Sequence, residues 1–477
     1  MKSIFLSLLL FIIILFINGC ALHKPHSIEP PGPIPESFVE EAQSAIVHSF
    51  PEKWWTAFGD EKLNALIDEA FRHNLQLKAA FARINQSETA VKSASASQMP
   101  TVNAEGQFTR ESSPSFLGDY TGNSYRLSLA AGYEVDVWKK FASFTSAVEL
   151  EQEATKEDTK ALYMSLSAQL VDTYYFAVEQ RAQLNLTDRT ISSFEDALKR
   201  VEYRYQEGIA PALDVYQARN SLAAARAIRP VFELNLTKAE HALATLLGRY
   251  PDETRSVHLA TIPDIPNMFS AGLPSDMIAR RPDIQAAVLR LKAIDERIAS
   301  AIADRFPAFN LLGNYGKSST AFVTGDVVGF FWNVVLSMVQ PILDGGRRTA
   351  EVDRIQAVFR ENLALYHKSV LTAFQEVEDA LTANRTSEKR IELLKDQVNS
   401  SENALRLAEY TYYEGLSDYL PVLAAQQSLF ESQRELLSAR RQLVSDRVQL
   451  ARALGGSWMD EYIEGNLAQE TGEGRIR

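Results

Sequence analysis

Hydrophobic and polar positions alternate strictly from Ser124 to Val137: Tyr125, Leu127, Leu129, Ala131, Tyr133 and Val135 share one face, and Arg126, Ser128, Ala130, Gly132, Glu134 and Asp136 the other. A period of two over this length predicts a β-strand. Fourteen residues at ~3.3 Å each, tilted by ~45°, cover about 30 Å, the thickness of a bilayer's hydrocarbon core, and aromatics near both ends suit a lipid-facing strand. A half-buried strand of a soluble sheet has the same pattern, so this stretch alone leaves both readings open.

Most of the remaining chain has a helical period, and it repeats at a shift of 207 residues. Ala79, Ala80 and Arg83 match Ala286, Ala287 and Arg290; Pro100, Asn103 and Gly106 match Pro307, Asn310 and Gly313. Further on, Gly208, Leu213 and Val215 match Gly415, Leu420 and Val422, and Gly248 matches Gly455. A single offset held this far marks an internal duplication. The first repeat spans 54–248 and the second 275–455, with a Pro-containing linker or equatorial segment at 249–274 and a tail at 456–477.

Each repeat has the same expected plan. A helix (about 60–97, then about 275–305) leads to a strand (about 101–110, then 308–317), a Gly- and Ser-rich loop and a second strand (about 124–137, then 331–343). Asp136 meets Asp344 at a shift of 208, which predicts a one-residue bulge. A long helical hairpin follows: Ile191, Phe194, Leu198, Val201 and Tyr205 are spaced 3, 4, 3, 4, and Val398, Ser401, Leu405, Ala408 and Tyr412 keep the phase. That period is a coiled-coil seam. The helices reverse at Glu207-Gly208-Ile209-Ala210-Pro211 and at Glu414-Gly415-Leu416-Ser417-Asp418, and the return helices end near Gly248 and Gly455.

The N-terminus changes the compartment. Ile4 to Ile17 is apolar except for Ser7, too short for a comfortable bilayer span, and fits a signal peptide at 1–19. It ends in Ile17-Asn18-Gly19-Cys20, and Cys20 is the only cysteine. This has the form of a lipobox, with a plain secretory signal as the alternative; a Pro-rich, lipid-anchored linker at 20–53 follows. Ala21, rather than Asp, after the cysteine favours the outer membrane. No later segment is a transmembrane helix, so any crossing is by strands closed into a barrel, because open sheet edges are not tolerated in lipid. Four strands per chain are too few to close one. Two copies or three would serve, and the pattern does not choose between them.

The net charge of −12 argues against a nucleic-acid partner. Of the histidines at 23, 26, 48, 73, 241, 258 and 367, only His23 and His26 are close in sequence, and the pair is not expected to bind a metal. Gly345-Gly346-Arg347 lacks the ending of a phosphate loop. With no nucleophile and base pair in view, neither an enzyme nor a cofactor is expected.

Several stretches, in order, carry a resemblance: Trp54-Trp55-Thr56-Ala57-Phe58-Gly59-Asp60, His73-Asn74-Leu75-Gln76-Leu77, Arg280-Arg281-Pro282-Asp283-Ile284, Phe306-Pro307, and Leu343-Asp344-Gly345-Gly346-Arg347-Arg348. With the duplication they resemble the TolC-type outer-membrane efflux factors, in particular the lipoprotein (OprM/NodT-like) branch. The resemblance implies a mainly α chain with a membrane β-barrel, whose homotrimer forms a 12-stranded β-barrel on a 12-helix periplasmic α-barrel. It implies passive conduction of drugs or other small solutes handed over by an inner-membrane efflux transporter and a periplasmic adaptor. A periplasmic coiled-coil adaptor or scaffold lipoprotein without a pore is the rival reading.

In the family the hairpin helices pinch the periplasmic mouth, and the turns meet the adaptor. Here that implies a gate at Tyr412, Tyr413, Asp418 and Asp214, with Tyr410 and Tyr419 beside it, and adaptor contacts at Gly208, Ile209, Gly415 and Leu416. Tyr413 replaces a basic residue of the family pattern and Ala424 an acidic one, so stacked tyrosines and hydrogen bonds are expected to replace a salt bridge. The competing reading is that these tyrosines only fill inter-helix grooves. Arg280 to Asp283 reads as a helix start, with Pro282 in the first turn.

Overall fold

A computed structural model describes residues 23–39, 53–113, 120–251, 262–263, 274–322 and 325–465. After a 3₁₀ turn at Trp54–Phe58 come α1 (Glu61–His73), α2 (Leu75–Ala96), β1 (Thr101–Ser113), β2 (Tyr120–Val135), α3 (Lys140–Gln206) and α4 (Ala212–Leu246). The second half supplies α5 (Pro274–Arg280), α6 (Pro282–Ala303), β3 (Ala308–Phe322), β4 (Gly325–Val339), α7 (Arg347–Tyr413) and α8 (Leu420–Leu454). The helix expected over 60–97 is two helices. Asn74, at ψ 128°, ends the first, and its side-chain oxygen accepts from Gln76 N at 2.8 Å and Leu77 N at 3.2 Å to start the second.

The described residues fold into two compact units, each drawing on both repeats: one contains those of 23–29, 83–155 and 286–367, the other those of 30–82, 156–285 and 368–465. In the first unit the strands form one antiparallel sheet in the order β1-β2-β3-β4. The duplication is visible in its register: Thr101 pairs with Gly132, and their counterparts 207 residues on, Ala308 and Val339, pair with each other. The expected bulge is absent: the β3–β4 ladder runs unbroken from Ala308↔Val339 to Phe322↔Gly325. The extra residue lies in the turn into the helix. Asp136 accepts from Phe141 N and Ala142 N (3.2 and 2.8 Å), whereas Asp344 accepts from Gly346 N and Arg348 N (3.1 and 3.3 Å), so one capping role is filled from two turn lengths.

The second unit has an aromatic core. Trp54, Trp55, Phe58 and Phe71 are buried, with Phe71 stacked on Trp458 at 5.6 Å. The repeat is again used twice. Gly248 has φ +73° and sits where a Cβ would come 2.3 Å from the His73 carbonyl oxygen; Gly455, at φ +75°, approaches the Arg280 oxygen to 2.8 Å in the same sense. Asn74 Nδ2 donates to Leu246 O at 2.8 Å, and its counterpart Arg281 donates from Nη1 to Ala453 O at 3.1 Å. Arg281 is buried and also pairs with Asp283 and Glu376, so the Arg-Arg-Pro-Asp stretch is a helix start at Pro282.

Candidate functional site

In the first unit the register lines up alternate residues of all four strands on one face of the sheet. Phe108 lies beside Tyr125, Leu127 and Leu129 follow along β2, and Tyr315 lies beside Trp332, with Val334, Leu336 and Met338 along β4. These side chains are exposed: Leu127 68%, Trp332 74% and Leu336 72%. A soluble sheet would cover such a face, and its exposure along every strand is the signature of a lipid-facing surface. The opposite face carries Asn103, Glu105, Gln107, Arg126, Asn314 and Asn333, with Asn314 Nδ2 donating to Asn333 Oδ1 at 3.1 Å and the Arg126 guanidinium over the Phe331 ring. The strands, of 13 to 16 residues, exceed the ~9–11 needed for a tilted crossing. Among the described residues no helix is long and apolar enough to cross a membrane.

In the second unit the two hairpins meet at their tips. Gly208 and Gly415 both have φ +74°, and each closes its helix in the same way. Ile209 N donates to Arg204 O (2.8 Å) and Gly208 N to Tyr205 O (3.0 Å); Leu416 N donates to Thr411 O (2.9 Å) and Gly415 N to Tyr412 O (3.1 Å). This is the Schellman pattern, which requires the left-handed residue that glycine supplies. The apolar residue that follows usually packs back on its helix, yet Ile209 is 62% and Leu416 74% exposed.

Behind the turns, Val201 from α3, Val215 and Ala218 from α4, Tyr412 from α7, and Tyr419 and Val422 at α8 form one buried cluster. Tyr412 is 3% exposed; its ring centroid lies 5.6 Å from Tyr413 and 5.3 Å from Tyr419. Its hydroxyl donates to Asp214 Oδ2 at 3.3 Å, tying α7 to α4. Asp214 is buried, and that burial, with a smaller contribution from the Asp418 charge, raises its pKa above the ordinary value despite the hydrogen bond from Tyr412. Burial is also the main reason that Tyr412 and Tyr419 are pushed up to about 12.

Of the expected gate residues, Tyr412, Tyr413 and Asp214 come together. Asp418 acts on Asp214 through its charge, while Tyr410 is 60% exposed. Arg204 was missed by sequence reading: its guanidinium lies 4.8 Å from the Tyr412 ring centre and donates to Tyr413 O at 3.2 Å. Arg200 reaches the Tyr413 hydroxyl at 3.4 Å. Their spacing of four on the last turns of α3 was the available signal. Cys20 and the signal segment lie outside the described residues.

One further cluster of polar side chains lies in the first unit. His23 Nε2 and His26 Nδ1 both reach Asp295 Oδ1, at 2.9 and 2.6 Å.

The family described as outer membrane efflux protein matches this chain twice, at 66–249 and 273–456. The toluene efflux pump outer membrane protein TtgC of Pseudomonas putida is 30% identical over 472 residues, covering 94% of this chain and 95% of that protein. The outer membrane protein OprJ of Pseudomonas aeruginosa is 30% identical over 463 residues, with 94% and 95% covered. Among solved structures, the outer-membrane channel OprN superposes with a TM-score of 0.85 at 26% identity, covering 92% of this chain and 100% of that one. The open state of the MtrE outer membrane channel of Neisseria gonorrhoeae gives 0.78 at 25% identity, with 91% and 98% covered.

Proposed function

The chain belongs to the outer membrane efflux protein family, and from that premise we propose that it is the exit duct of a tripartite pump, receiving small solutes from an inner-membrane transporter through a periplasmic adaptor. One observation carries the reading: an apolar sheet face exposed along all four strands, in a chain whose remainder is long paired helices. Lipid forbids the unpaired edges of β1 and β4, so copies of the chain must pair them. Three copies supply twelve strands, and this homotrimer is the assembly we favour. The same face has no use in a periplasmic adaptor, and the relatives are efflux channels.

Acylation at Cys20 would fix the N-terminal linker to the outer membrane from the periplasmic side. The exposed Ile209 and Leu416 beside the tip turns are the adaptor's contact points, offering paired apolar knobs at equivalent places of both repeats. The gate is the cluster behind them. Tyr412 bonded to Asp214 holds the second hairpin against the first, and opening separates them. That TtgC is named for toluene efflux supports small organic solutes as cargo. On this reading the protein is a passive conduit.

The test is the conductance of purified protein in planar bilayers. Discrete single-channel steps are expected of a channel, and a coiled-coil scaffold gives none. On gels of unheated membrane extracts the channel should run as a slow, heat-sensitive band.

A further inference from the structure

We infer that His23, His26 and Asp295 form a binding site for a divalent transition-metal cation of the zinc class. The three residues each offer a ligand atom, and all these atoms lie within 4.8 Å of one another. Both imidazoles converge on one carboxylate oxygen, His23 Nε2 at 2.9 Å and His26 Nδ1 at 2.6 Å, and the His26 backbone N–H points to the same oxygen at 3.4 Å. Two imidazole nitrogens and one carboxylate oxygen are a borderline donor set, suited to zinc and its neighbours and unsuited to calcium or magnesium.

The spacing fits a small adjustment. A tetrahedral ion with ligands at ~2.0–2.1 Å needs donors about 3.3 Å apart, so His23 Nε2, at 2.9 Å, recedes from Asp295 by ~0.4 Å and His26 Nδ1, at 2.6 Å, by ~0.7 Å, while the two nitrogens settle at the same spacing from within the 4.8 Å that spans the cluster. The ring proton that bridges to Asp295 then moves to the other nitrogen of each imidazole, leaving both rings neutral as ligands. The fourth position is water. Asp295 is held on α6 with its side chain 9% exposed, and His23 is 12% exposed, whereas His26 is 41% exposed and opens the site to solvent. The Phe359 ring lies 4.6 Å from that of His26 and limits its rotation.

The consequence is mechanical. His23 and His26 belong to the Pro-rich stretch ahead of the repeats, and Asp295 lies 272 residues beyond His23. The stretch is also held just beyond His26, where His367 Nε2 meets the Glu29 carbonyl oxygen at 3.1 Å. A bound cation would convert the hydrogen-bonded end into a coordinated one, strengthening its hold on α6 when metal is available.

The test uses the untagged full chain in detergent, titrated with zinc chloride in a calorimeter and, separately, with cobalt(II) as an optical probe. Expected are one zinc per chain, intense visible bands of four-coordinate cobalt, and a zinc-dependent rise in the heat-dissociation temperature. Asp295→Asn should abolish all three. His26→Gln, at the most exposed ligand, should leave the assembled protein intact and weaken zinc at least about tenfold, since loss of a group that only supports a ligand typically costs ~10–100-fold. No zinc binding by the wild type, or binding and bands unchanged in both variants, would overturn the inference and leave the cluster a metal-free hydrogen-bonded clasp.

Discussion

Tyr412 is the residue whose replacement should open the mouth, and two substitutions separate its contributions. Tyr412→Phe removes only the hydroxyl that donates to Asp214 at 3.3 Å. One such bond contributes about 1 kcal/mol net. Converted, that is roughly a fivefold rise in the open-to-closed ratio of the tips. Tyr412→Ala also deletes a ring that is 3% exposed and packed on Tyr413, Tyr419 and the Arg204 guanidinium. Truncating a buried aromatic costs ~3–5 kcal/mol, more than a hundredfold in the same ratio. Tyr413→Ala should do less, because Tyr413 is only partly buried and its hydroxyl meets Arg200 near the surface. The assay is single-channel conductance in planar bilayers, with antibiotic leak in intact cells as its counterpart. Leak should rise from wild type to Tyr412→Phe and again to Tyr412→Ala. If Tyr412→Ala forms the normal heat-sensitive oligomer yet leaks no more than wild type, the tyrosine only fills a groove and the lock does not exist.

Acidity should act on the same lock. The pKa of Asp214 is raised in the folded tip, so protonation stabilises the closed arrangement, and that contribution is lost as pH rises through the raised value. Leak should therefore fall on acidification toward the ordinary carboxyl value of 3.8, and Asp214→Asn, whose amide does not titrate but whose oxygen still accepts from Tyr412, should flatten the pH dependence. Gly208→Ala meets open space and bears only the left-handed φ, about 1–2 kcal/mol, whereas Gly248→Ala adds a Cβ 2.3 Å from the His73 oxygen. Heat dissociation should show the second to be the more damaging. Trp332, 74% exposed on the apolar face, should be quenched by brominated lipid tails, and equal quenching by aqueous iodide would contradict a lipid-facing placement.

Much of this organisation is legible in the chain because it is periodic and occurs twice. Period two identified the strands and the 3-4 spacing the hairpins, and the shift of 207 recurs in the sheet register and in the paired roles of Gly248 and Gly455. What escaped depends on contacts without local pattern. The break at Asn74 combines a local cap, its side-chain oxygen accepting from Gln76 N and Leu77 N, with a bond to the distant Leu246, and no proline marks it as Pro282 marks its repeat partner, Arg281. Tyr205 and Tyr412 share a phase in the seam, but Tyr205 is 49% exposed and Tyr412 3%, because only Tyr412 has Asp214 and Tyr419 facing it. The two neighbouring histidines were visible, but the carboxylate that completes their cluster lies 269 residues after His26, where only the folded chain brings it.

For this chain to conduct, several four-stranded sheets must close into one barrel. The most direct measurement is the mass of the protein extracted in mild detergent and released intact into a mass spectrometer. Three chains, falling to one on heating, is the result expected. A single chain, with only four strands, would contradict the channel, and a pair, with eight, would contradict the trimer.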